Sequence, residues 1–123
     1  MDLNGLELAA IIKMGTAMVF ADGRVEPIEQ KVMANEILRF GVKTEDLERI
    51  LAGATAMDVQ VALLTLSQLG SEQKKYVTAY LGTIMASDGK IDDSEMKLWR
   101  FVSQVCNFPT MSVSEAINVM ASL

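Results

Sequence analysis

The stretch ADGRVEPIE, residues 21–29, returns in nearly the same terms as SDGKIDDSE, residues 87–95, 66 positions further along a chain of 123 residues. Asp22-Gly23 matches Asp88-Gly89, Arg24 matches Lys90, Val25 matches Ile91, Glu26 matches Asp92 and Glu29 matches Glu95. Two copies of one phrase in so short a chain point to a duplicated structural unit, with an acidic Asp-Gly corner at the same place in each half.

The periodicity around these corners is helical. Only two prolines and eight glycines occur, and no run alternates as a half-buried strand would. An all-α domain of seven helices is expected. The first helix spans about Leu3 to Ala21 and is apolar almost all round, which marks a central helix covered by others. Gly23 supplies the left-handed residue that ends it. Pro27 opens the second helix, which carries Ile28, Val32, Met33 and Ile37 inward and stops at Gly41. Thr44 caps the third, with Leu47, Ile50, Leu51 and Ala54 on its apolar face. Asp58 caps the fourth, with Val59, Ala62, Leu63, Leu66 and Leu69 inward and Gly70 as its end.

The second half repeats this order. Ser71 caps a fifth helix that runs through YVTAYLGTIMAS into Asp88-Gly89. The sixth follows Asp92, with Leu98, Trp99, Val102, Val105 and Cys106 on one face. Asn107 stands where the first copy has Gly41, and asparagine tolerates the same left-handed turn. Pro109 bars continuation, and Ser112 with Glu115 forms a capping box for a seventh helix carrying Ala116, Ile117 and Met120. The expected layout is one domain over residues 1–123, with repeats at about 3–54 and 71–123 joined by a helix at about 58–69. The repeats pack apolar face to apolar face about a pseudo-twofold axis.

Composition removes whole classes of chemistry. A net charge of −5 argues against a binder of phosphate backbones, so nucleic acid is not an expected partner. Histidine is absent, which takes away the usual general base and the usual nitrogen ligand of zinc, copper and iron. The single cysteine, Cys106, reads as a small buried hydrophobe. The apolar stretch AAIIKMGTAMVFA lacks the positive opening of a signal sequence, with Asp2 and Glu7 before it, and Lys13 interrupts a run too short to span a bilayer. A cytoplasmic protein without a membrane span is expected.

Each corner, written D-G-x-[IV]-[ED]-x-x-E, reproduces the second half of the calcium-binding EF-hand loop. Asp22, the Arg24 carbonyl, Val25 and Glu29 take the places of carboxylate, backbone oxygen, core plug and closing glutamate. Asp88, the Lys90 carbonyl, Ile91 and Glu95 do so in the second copy. The first half of the loop is missing, because its ligand positions fall on Met18 and Phe20, and on Ile84 and Ala86. Any cation would therefore be held weakly, at about 10⁻⁴–10⁻³ M or above. Helix capping is the competing account: it explains Glu26, Glu29, Asp92 and Glu95 without an ion, with Arg24 and Lys90 as counter-ions. It accounts less well for Asp22 and Asp88, which stand at the negative end of a helix dipole.

The doubled motif, A-D-G-x-[VI]-x-x-x-E after an apolar helix and D-G-x-[ILV]-x-x-x-E some 66 residues later, resembles the tellurite-resistance TerB family and its TerB-like relatives over roughly Leu3 to Leu123. The resemblance implies a compact seven-helix domain, no catalysis, and acidic residues that chelate a divalent cation. It also implies a role in bacterial stress response or as a protein-interaction module, related domains being appended to J-domain co-chaperones. Carried over by position, Asp22, Glu29, Asp88 and Glu95 are the cation residues, with Glu26 and Asp92 as secondary ones, and calcium, magnesium or manganese as the ion.

Two other functions compete with this non-enzymatic module. A metal-dependent hydrolase would gather carboxylates on facing helices, whereas this sequence offers them only at turns expected to be exposed. A structural homodimerisation domain would expose an apolar patch. The methionines, Met14, Met18, Met33, Met57, Met85, Met96, Met111 and Met120 among them, read mainly as core filler rather than a binding groove. Trp99 reads as core and Phe101 as exposed.

Overall fold

The computed structural model describes residues 2–21, 27–87, 89 and 91–123, with Gln30 described for its backbone alone. Among the described residues there are seven α-helices and no strand: α1 (Gly5–Val19), α2 (Pro27–Ile37), α3 (Thr44–Ala56), α4 (Val59–Ser67), α5 (Ser71–Met85), α6 (Asp93–Val105) and α7 (Val113–Ala121). A single 3-10 turn, Leu38–Phe40, extends α2 to Gly41.

α1 starts two residues later than its sequence pattern suggests because Asn4 makes a capping box. Its side chain accepts from the Glu7 N–H at 2.8 Å, and Glu7 accepts from the Asn4 N–H at 2.9 Å. This satisfies two of the donors a helix start leaves open. Leu8 through Ile12, Met14, Met18 and Val19 are buried, and so are Val77 through Gly82, Ile84 and Met85 of α5. These two helices form the centre. α1 packs on α3 and α4 and touches α2, while α5 packs on α7 and touches α6. α1 and α5 meet each other, α2 reaches across to α5, and α6 reaches across to α1.

Polar links fix these helices at definite points. The Tyr80 hydroxyl on α5 donates to the Met33 carbonyl on α2 at 3.0 Å, and the ring stands 5.6 Å from Phe40 at 56°. The Trp99 indole N–H on α6 donates to the Thr78 carbonyl on α5 at 3.1 Å. The Cys106 thiol, fully buried as expected, reaches the Leu63 carbonyl on α4 at 3.4 Å. Near the chain start, Gln73 donates to the Asp2 carbonyl at 2.7 Å.

Helix ends agree with the sequence where one residue decides them. Gly41 (φ 88) and Asn107 (φ 56) are both left-handed. After Asn107 the Phe108 N–H donates to the Ser103 carbonyl at 2.8 Å and the Asn107 N–H to Gln104 at 3.3 Å, the two bonds of a Schellman stop. Ser112 and Glu115 make the expected capping box.

Other ends differ. Lys43, not Thr44, is the N-cap of α3, and Gly70, not Ser71, is that of α5. At Gly70 the Gln73 side chain takes the cap N–H at 3.1 Å, so α5 needs no hydroxyl cap. Gly70 is extended (φ −70, ψ 165), and α4 has already ended at Ser67. Asp58 is the N-cap of α4, but its side chain makes no cap bond.

Ile91, read as the core plug of the second corner, is 47% exposed, and five helical residues expected inside are exposed as well: Ile28, Leu51, Val59, Val105 and Ile117. Each of these five lies at the margin of its helix's apolar stripe, where a small rotation of the helix carries it into water. In α2 the inward place beside Ile28 is taken by Glu29, 2% exposed.

Candidate functional site

The residues leading into the two corners have the same backbone. Phe20 closes α1 at φ −87, ψ −2, and Ala86 closes α5 at φ −88, ψ −2. The Phe20 N–H donates to Thr16 at 3.1 Å, as the Ala86 N–H does to Gly82 at 3.2 Å. The Ala21 N–H then donates to Met18 at 3.2 Å, as the Ser87 N–H does to Ile84 at 3.1 Å. All four pairs are related by the 66-residue offset of the sequence repeat. In the second corner Gly89 is left-handed at φ 78, and its N–H donates to Ala86 at 3.1 Å. This is the sharp turn its place before a helix requires.

The candidate carboxylates fall into three groups. Asp22, Glu26 and Asp88 lie outside the described residues. Asp92 is the N-cap of α6, half-buried, and its Oδ1 accepts from the Ser94 N–H at 2.7 Å. Capping therefore occupies one oxygen of Asp92, as the structural reading of this residue expected.

Glu29 and Glu95 are the correction. Both lie in the first turn of their helices, where α2 and α6 begin 66 positions apart, and both are 2% exposed. The expectation of carboxylates displayed only at exposed turns does not hold for this pair. Burial of an ionisable side chain requires compensating polar contacts in place of water, so these glutamates are parts of the folded interior. The oxygen-only donor set suits a hard cation such as calcium, magnesium or manganese. Among the described residues, no three histidine, cysteine, aspartate or glutamate side chains converge.

The cysteine has no catalytic setting. Burial pushes the Cys106 thiol above its ordinary pKa, and nearby Lys74 offsets only part of that. A thiol kept protonated is a poor nucleophile.

A second feature was hidden in the sequence. Met96, Trp99 and Arg100 of α6 line a cleft of about 490 Å³ together with Met111 in the α6–α7 connection. Most of the methionine reading stands, with Met14, Met18, Met85 and Met120 buried. Met96 and Met111, half-buried, are walls of this opening as well. Trp99 is buried and Phe101 is 55% exposed, as their positions on the stripe predict.

The chain superposes on the crystal structure of a protein of unknown function from Porphyromonas gingivalis with a TM-score of 0.91 and 45% sequence identity. The match covers 98% of this chain and 92% of that one. The chain belongs to that protein's family. The shared fold thus extends over nearly the whole length. No family model matches the chain, and no curated protein does.

Proposed function

We propose that this protein is a non-enzymatic, TerB-like binding module made of two helical repeats about a pseudo-twofold axis, with one weak divalent-cation site at each acidic corner. One observation carries the reading: the α1 and α5 ends have the same dihedrals and hydrogen bonds at a constant 66-residue offset, each followed by a glutamate buried to the same degree. The pairing of helix contacts supports the twofold, since α1 with α2 and α3 mirrors α5 with α6 and α7, and α2 on α5 mirrors α6 on α1. The repeats correspond to residues 3–54 and 71–123, with α4 between them.

Asp22, Glu29, Asp88 and Glu95 are the main ligands of the two sites in this reading, with Glu26 and Asp92 as secondary contributors. Water completes each shell, so affinity is weak, about 10⁻⁴–10⁻³ M. Cation binding tunes a surface that engages a protein partner in the cytoplasm, in stress response or protein assembly. Titration with calcium, magnesium and manganese, followed by the amide shifts of Gly23 and Gly89, tests the cation sites. Saturable movement of both amides supports them, and none at millimolar ion removes them.

Homodimerisation is a second reading. Leu64 (61%), Phe101 (55%), Val105 (50%) and Val61 (46%) are exposed on α4 and α6, which the Cys106–Leu63 contact fastens together. A mass that rises with concentration, and returns to that of one chain on Leu64→Glu, supports this reading. A constant single-chain mass rejects it.

A further inference from the structure

The cleft beside Trp99 has the size, the walls and the charge of a small-molecule site. Its volume of about 490 Å³ falls within the usual range for ligand pockets, about 300–1,000 Å³. Its apolar wall is largely preformed, because the Trp99 ring is fixed by its bond to Thr78 and by Gly82, whose missing side chain leaves room for the ring. A rigid wall loses little freedom when a ligand arrives. Met96 and Met111 can adjust to the ligand's shape.

Among the described residues that line the cleft, Arg100 is the only ionisable one. It is exposed and makes no ion pair among the described residues. In a chain of net charge −5, a cation at an apolar opening whose described lining holds no carboxylate favours an anion, with Glu115 kept to its capping bond with Ser112. Ser103 and Gln104 add hydrogen-bond donors along the same wall. The smaller apolar groove between α1 and α3, about 270 Å³, differs in this respect, since its Arg49 is held by Asp46 at 3.2 Å.

We propose that this cleft binds an amphipathic organic carboxylate, with its apolar part against Met96, Trp99 and Met111 and its carboxylate on the Arg100 guanidinium. The proposed binding needs no metal.

Trp99 is the only tryptophan, so its fluorescence reports on the cleft. Decanoate titrated into the full chain is expected to give a saturable change at constant helical circular dichroism. Decanol and the Arg100→Gln variant are each expected to bind about tenfold more weakly, the worth of one charge-assisted hydrogen bond. Arg49→Gln is expected to bind as the parent does. Absence of saturation, loss of helix at saturating decanoate, equal binding of decanol, or unchanged affinity in Arg100→Gln would each overturn the proposal.

Discussion

Glu29 and Glu95 stand 66 positions apart in the chain and share one environment, each in the first turn of its helix and each 2% exposed. If the two are equivalent members of a duplicated unit, their removal should cost the fold equally. Glu29→Ala and Glu95→Ala are expected to lower unfolding free energy by similar amounts, roughly 2 kcal/mol each, through loss of buried polar contacts. The double variant should be close to additive. Urea denaturation measures all three. A large cost for one and none for the other would show that the two corners play different structural roles.

Gly82 is fixed by its neighbours. A Cβ there would lie 2.8 Å from both the Ala116 Cβ and the Trp99 Cζ2, whereas one at Gly15 would meet the flexible Met33 Sδ at 3.2 Å. Gly82→Ala should therefore destabilise by about 1–3 kcal/mol through overpacking, and Gly15→Ala by less. Thermal melts followed by circular dichroism rank the two. Trp99 fluorescence should shift in the Gly82 variant alone.

Alkaline pH should weaken the fold. Burial, with a smaller contribution from Glu36, holds the Tyr80 hydroxyl well above its ordinary value of 10.0, and burial raises Cys106 above 9.0. In both cases the unfolded chain loses its proton first. The stabilisation is thus fully present below the unfolded values and is lost as pH rises through the raised ones. Urea midpoints are expected to be flat near neutrality, to fall above about pH 9, and to fall more steeply above about pH 10. Tyr80→Phe should be less stable at pH 7, having lost the bond to Met33 worth about 1 kcal/mol. Its decline above pH 10 should be shallower than the parent's, and equal slopes would contradict the assignment.

The sequence disclosed those parts of the fold that one or two neighbouring residues decide. Asn107 is legible as a left-handed stop, Ser112 with Glu115 as a capping box, and Pro27 as a helix start, because each acts within a single turn of chain. Gly70 is hard to read as an N-cap because it has no side chain and Ser71 stands beside it, so that Gln73 supplies its half of a capping box to a bare backbone N–H. The sequence places Glu29 and Glu95 at exposed turns, as cation residues or as caps, because an isolated carboxylate is costly to bury. Their burial is set by the folded chain around them, which periodicity does not encode. The cleft was hidden for a similar reason: Met96 and Met111 lie on different sides of the Asn107 turn, and only the folded chain sets them on one opening.

Manganese relaxation of amide signals tests the central claim, that the two acidic corners are equivalent halves of one duplicate, most directly. Millimolar manganese should broaden Gly23 and Gly89 to similar extents, and Asp22→Asn should relieve Gly23 while leaving Gly89 broadened. Broadening of neither amide, or of one alone in the parent protein, would contradict it.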